Sequence, residues 1–256
     1  MWRWPTVQAQ KEAWAKIKSK VNAIHAKLIS LAAERWADPK ENNALAEAIT
    51  DAKKAGVTID VIDRAVKRGA GLDGGEKKVE EVYYEGYLSG GVAIIIRALT
   101  DNRNRTAPSI RHIFGAYGGN LWETGSVSNY LYDYKWQIRL VKPQDMESLE
   151  LTLLDTEAED YSIEDASVVV VTDRTNLTSV KKSLEWWGYT IESGGFAYIP
   201  KNYSEVTDFD TALKVYSFLE ACGEDEDIEA VWNNADISDT LWEQCREKVE
   251  SSRFRT

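Results

Sequence analysis

Cysteine and histidine are scarce in this chain of 256 residues, two of each, and their scarcity excludes whole classes of chemistry. Cys222 and Cys245 cannot build a disulfide framework and lack metal-ligand spacing, so both are expected to be structural in a reducing compartment. His25 falls in a helical stripe and His112 lies beside Arg111 near a helix start. Neither shows the positioned partner that a general base requires, and no nucleophile is accompanied by one. The sequence therefore points to a protein that is not an enzyme, with no cofactor and no metal. Long apolar runs are missing as well. The best, Val92 to Leu99, is about half of the ~18 residues that span a bilayer, so no membrane partner is expected. The opening MWRWPTVQAQKEAWAK lacks the apolar stretch of a secretory signal, which makes the cytoplasm the expected location.

Positive charge is also in short supply: 31 Lys+Arg face 42 Asp+Glu, a net of -11, unlike the basic balance of a simple nucleic-acid binder. The distribution is uneven. Residues 1–72 hold 13 basic against 8 acidic side chains, whereas residues 145–236 hold 5 against 22. A two-ended molecule follows, in which the N-terminal half alone can approach a phosphate backbone. With 43% hydrophobic residues the composition is otherwise that of an ordinary globular protein of about two domains, or one more.

The first seventy residues read as helices. Ile17, Val21, Ile24, Leu28 and Leu31 recur at three and four residue steps among lysines. Asp38-Pro39-Lys40-Glu41 suggests the start of a second helix that Gly56 closes, and Thr58 opens a third that Gly69 stops. GAGLDGGEKK then reads as a hinge. GAGLDG has the letters of a dinucleotide fingerprint but follows a helix where that motif needs a strand, so a hinge or helix cap is expected instead. Beyond it VYYEGY (82–87) and VAIIIRALT (92–100) read as strands, the second central in its sheet. A helix is expected from Thr106, with Ile110, Ile113, Phe114 and Tyr117 on one face. SVSNYLYDY (126–134) and SVVVVT (167–172) read as strands, 175–187 as a helix, TIESGGFAYIP as a strand and 208–221 as a helix. The fold class is α+β: a three-helix N-terminal domain and two small sandwiches of helix on sheet.

Two segments carry candidate chemistry. In DNRNRT (101–106), Arg103 and Arg105 offer forked donors for phosphate beside a helix start, with Arg111 sharing that face. Equally, one Arg pairs with a local acid while Asp101 and the asparagines satisfy a tight turn. In the helical domain Lys11, Lys18, Lys20, Lys53, Lys54, Lys67 and Arg68 are candidate phosphate contacts, and a solvated face would look the same. The acidic runs 157–165 and 224–227 read as a solvated rim. Ten tryptophans are many for this length. Trp4 and Trp14 are placed to stack on bases, Trp186-Trp187 to face the core on one side, and packing is the expectation for all ten.

The run YYEGYLSGGVAIIIRALTDNRNRTAPSIRHIFGAYGGNLWETGSV (83–127) resembles the signature region of the YebC family, which includes the mitochondrial translational activator of cytochrome oxidase. ADPKENNALAEAITDAKKAGVTIDVIDRAVKRGAG (37–71) resembles that family's helical domain, and IPKN (199–202) and VWNNAD (231–236) its late markers. The resemblance implies three domains: a basic helical one at 1–72, a central one at 73–138 and 205–237, and an acidic one at 139–204, followed by an extension at 238–256. It also implies a gene-expression factor without known catalysis. The family is labelled as transcriptional regulators and is implicated in translation, on ribosomes stalled at proline-rich stretches. Nucleic acid is the expected partner, ribosomal or transfer RNA or else DNA, bound by a monomer, and a basic protein is a candidate partner for the acidic domain. Two departures stand out. Gln8, Ala9 and Gln10 replace basic residues of the family's first helix, and Tyr87-Leu88-Ser89-Gly90-Gly91 lacks the family's turn proline.

Overall fold

The computed structural model describes residues 4–72, 74, 78–163 and 166–253, with the backbone alone at 4–17 and 253. In chain order the elements are α1 (Trp4–Ala33), α2 (Asn43–Lys54), α3 (Ile59–Gly69), β1 (Glu80–Tyr87), β2 (Ala93–Thr100), α4 (Arg103–Ala116), β3 (Asn120–Trp122), α5 (Ser128–Leu131), β4 (Tyr132–Val141), α6 (Met146–Leu154), β5 (Ala158–Ile163), β6 (Ser167–Thr172), α7 (Leu177–Trp186), β7 (Ile191–Pro200), β8 (Ser204–Glu205), α8 (Phe209–Glu224), β9 (Ile228–Asn233), β10 (Ala235–Asp236) and α9 (Asp239–Arg253). They form two compact units, Met1–Val127 with Tyr203–Thr256, and Ser128–Asn202. A boundary at residue 138 would cut β4, which is hydrogen-bonded to β7 from Tyr132 onward, so the chain enters the second unit at Ser128 instead.

In the first unit, Ile29 and Ala33 of α1 pack with Leu45 and Ala52 of α2 and Ile62 and Ala65 of α3. The expected stripe at Val21, Ile24, Leu28 and Leu31 is only half-buried, because small residues set the crossing. At Gly69 a Cβ would lie 2.2 Å from the Ser30 carbonyl oxygen, so α3 meets α1 backbone to backbone. Gly69 is the last helical residue, not the stop. The stop is Gly71 at φ +70°, with Leu72 N–H donating to the Lys67 carbonyl, which makes the glycine run a helix cap. The start of α2 also differs from expectation. Asp38 closes a turn, and the true N-cap is Asn42, whose side chain accepts from Leu45 N–H and donates to the carbonyls of Ala32 and Trp36. That one amide ties the end of α1 to the start of α2.

The central sheet has the order β3-β1-β2-β9 and is antiparallel throughout. β2 is interior, as its apolar run requires. On one face Ile94, Ile96 and Ala98 pack with Ile110 and Phe114 of α4 and with Val215 and Phe218 of α8. On the other, Ala93, Ile95 and Leu99 are also buried, and α1 lies against β2. The turn without proline between β1 and β2 is made by Gly90 and Gly91, both at positive φ (79° and 73°), with Leu88 N–H bonded to the Val92 carbonyl. Cys222 and Cys245 are buried in this core, and burial pushes the Cys222 thiol up to about 12.

In the second unit the sheet order β5-β6-β4-β7, with α6 between β4 and β5 and α7 between β6 and β7, is the split βαβ arrangement. Leu149 and Leu153 of α6 and Val180 and Leu184 of α7 cover Ile138, Leu140, Val168 and Val170. Residues 126–134 are not one strand: Ser128–Leu131 form a helical turn and only Tyr132 onward pairs. Nor do Trp186 and Trp187 face the core. Trp186 and Trp187 are 85% and 63% exposed, because α7 buries Val180 and Leu184 and turns the following residues outward. Trp36 and Trp122 are exposed too. The side chains of Trp4 and Trp14 lie outside the described residues.

Candidate nucleic-acid interface

The charge asymmetry of the sequence is redistributed on folding. Residues 128–202 hold 13 acidic and 7 basic side chains, so the second unit is only moderately negative. Much of the remaining acid, 208–236, folds into the same unit as the basic helices. Cation and anion therefore meet inside one unit.

They meet along one side of α1. Lys20 and Lys27, two turns apart, reach the last turn of α8 and the segment joining it to β9, respectively. The Lys20 ammonium donates to the carbonyls of Cys222 and Gly223 at 3.1 and 2.7 Å. Lys27 donates to the Glu226 carbonyl at 2.8 Å and the Asp227 carboxylate at 2.6 Å. Burial lowers the Lys20 pKa against the attraction of Asp225. Lys20 is thus a structural tie and not a phosphate contact.

Asp227 is the centre of this junction, only 7% exposed, and not part of a solvated rim. Its carboxylate accepts from Lys27, from Arg105 at 2.9 and 3.0 Å and from Thr106 Oγ1 at 2.7 Å. Burial pushes its pKa up, but the donors from Lys27, Arg105 and Thr106 outweigh it and hold the carboxyl below its usual range. Thr106 is accordingly not the start of the helix. α4 starts three residues earlier, where the Asn102 side chain accepts from Asn104 N–H, and Thr106 is buried in the first turn.

Arg103 and Arg105 therefore sit on α4 with carboxylates already in hand. Arg105 pairs with Asp227 and, in poorer alignment, with Asp101 at 3.2 Å. Arg103 Nε is 2.6 Å from Glu80. Both arginines of DNRNRT are paired with acids, but only Asp101 is local; Glu80 and Asp227 lie outside the segment. Lys27, Asp227 and Glu80 had no visible role in the sequence. Spacing of seven from Lys20 was the available signal for Lys27, whereas Asp227 lies 122 residues from Arg105 and left none.

The other candidates stay on the surface. Lys18, Lys53, Lys54, Lys67 and Arg68 are exposed, and the Lys11 side chain lies outside the described residues. Lys53-Lys54 and Lys67-Arg68 occupy the last turns of α2 and α3, where the helix dipole favours cations. Lys67 lies about eight residues, roughly 12 Å, along α3 from its first residue, with exposed Arg64 between. Lys54 lies 4.0 Å from the Asp51 carboxylate one turn back on α2.

Arg111 is exposed on the next turns of α4 and borders a cavity of about 650 Å³ with Ala107, Tyr84, Leu121, Trp122, Glu123, Thr124 and Ser126. The loop that closes it is fixed from beneath. The buried Glu85 carboxylate accepts from Gly125 N–H at 2.9 Å and Val127 N–H at 2.7 Å.

Comparison with known proteins places this architecture. Residues 79–235 match the family described as the TACO1/YebC second and third domain, and residues 2–72 match the TACO1/YebC protein N-terminal domain. The chain belongs to the TACO1/YebC family. A probable transcriptional regulatory protein of Clostridium novyi is 38% identical over 91% of this chain and 95% of its own. One of Kosmotoga olearia, with the same description, is 38% identical over 97% of this chain and 98% of its own. The crystal structure of a conserved hypothetical protein from Aquifex aeolicus superposes with a TM-score of 0.79 at 37% identity, covering 86% of this chain and 91% of that one. Among the described residues, no helix is long and apolar enough to cross a membrane.

Proposed function

We propose that this TACO1/YebC protein is a non-enzymatic regulator of gene expression that binds nucleic acid through the outer cations of its helical domain. Its target in this reading is ribosomal or transfer RNA on the ribosome, where it assists synthesis through proline-rich stretches in the cytoplasm. The observation that carries the reading is the division among cations. Lys20, Lys27, Arg103 and Arg105 already hold carboxylates or carbonyls, while Lys18, Lys53, Lys54 and Lys67 face solvent. A polyphosphate meets the second group without disturbing the first, and a structured target suits cations spread over several helices.

A sequence-specific DNA regulator is the second reading, favoured by the description of relatives as probable transcriptional regulatory proteins. Co-sedimentation with ribosomes and retention of duplex DNA, measured at the same salt, separate the two. The first reading expects ribosome binding that weakens when Lys53, Lys54, Lys67 and Arg68 become Ala together. Absence from ribosomes with retention of a specific duplex would replace it by the second.

A further inference from the structure

The cavity beside Arg111 combines features that the helical surface lacks. Ala107 and Arg111, one turn apart on α4, form one wall, and Tyr84 of β1 and Leu121 of the edge strand β3 form another. The 123–126 loop supplies the rest. Arg111 has no carboxylate partner among the described residues, in contrast to Arg103 and Arg105. The volume lies within the range of small-ligand sites, roughly 300 to 1,000 Å³.

We propose that this cavity binds a single unpaired nucleotide, with its base against Tyr84 and Leu121 and its phosphate at the Arg111 guanidinium. Recognition of unpaired RNA works in this way, by stacking on aromatic rings and by hydrogen bonds to exposed base edges. Glu123 at the rim is an acceptor for an exocyclic amino group, which favours adenine, guanine or cytosine over uracil. The forked guanidinium adds directionality that an isolated surface lysine lacks. Glu85 keeps the loop in place before any ligand arrives, so the site is formed in advance. The proposal rests on the reading above only in taking RNA as the source of the nucleotide.

The test is a proton–nitrogen NMR titration of the full chain with each ribonucleoside 5′-monophosphate, inorganic phosphate and ribose 5-phosphate. The indole signal of Trp122 at the rim, assigned through Trp122→Phe, is the reporter. Nucleotides are expected to shift it, with the two ligands that lack a base binding on the order of tenfold more weakly, as loss of stacking predicts. Arg111→Ala should weaken the nucleotide on the order of tenfold through loss of a charge-assisted contact. Because Arg111 is exposed, the remaining amide signals of its variant should stay in place. Equal binding of phosphate and nucleotide, no shift with any nucleotide, or wild-type binding by Arg111→Ala would each overturn the proposal. Ribosome binding through the helical cations with no nucleotide response would sink the pocket and spare the reading above. A nucleotide response in a protein that holds neither ribosomes nor DNA would do the reverse.

Discussion

The inner side of α1 and the outer ends of α2 and α3 carry the same kinds of residue and meet opposite fates. On the inner side Lys20 and Lys27 are half-buried and each has partners in the last turn of α8 or in the segment joining it to β9. At the outer ends Lys53, Lys54, Lys67 and Arg68 are exposed, on turns where the helix dipole accepts them. The difference lies in desolvation. A partly buried ammonium needs a fixed acceptor, so it becomes a constraint on the fold, whereas an exposed one keeps its water and its availability. Counting lysines along the chain cannot separate these two populations.

The comparison breaks most readily at Asp227. Replacing it with Ala leaves Lys27 and Arg105 facing each other without their shared carboxylate, and should cost about 3 kcal/mol of stability, read by urea denaturation. A loss below about 1 kcal/mol would mean that the inner charges are not structural. Next in size is Gly69→Ala, where the new methyl collides with the Ser30 carbonyl. About 2 kcal/mol of destabilisation is expected, with α3 shifted from α1.

Acid should act through the same carboxylate. The folded pKa of Asp227 is depressed below its unfolded value, so its contribution is fully present above the unfolded pKa of about 3.9 and is lost as pH falls through the folded value. Denaturation midpoints measured from pH 7 down to pH 3 should fall more steeply in the wild type than in Asp227→Asn. Parallel curves would remove Asp227 from the account. The smallest effect is expected at Arg103→Ala, whose melting midpoint should stay close to that of the wild type because its pair with Glu80 is exposed. A thermal melt suffices to check it.

Local signals made much of the fold legible. The apolar runs of β2 and β6 declared strands, the first of them central in its sheet, and Asp208, whose side chain accepts from Asp210 and Thr211 N–H, marked the start of α8. Where two local signals competed, the sequence misled. Thr106 read as the helix start, but Asn102 caps α4 ahead of it and Thr106 turns inward to Asp227. Helix α6 went unread although Asp145 caps it by accepting from Ser148 N–H, because only Leu149, Thr152 and Leu153 on its inner side are buried. The candidate site was legible as a set of residues and not as an arrangement. Which cations would be paired depended on contacts across more than a hundred residues, and no spacing rule reports those. The tryptophans failed for a similar reason, since exposure of Trp186 and Trp187 depends on which side of α7 meets the sheet.

The most direct measurement is the salt dependence of ribosome binding, compared between the wild type and a variant with Lys53, Lys54, Lys67 and Arg68 all changed to Ala. Four lost phosphate contacts should flatten the logarithmic slope by about 3, while stability stays within about 0.5 kcal/mol of the wild type. An unchanged slope and affinity in a well-folded variant would contradict the claim that the outer cations are the nucleic-acid contacts.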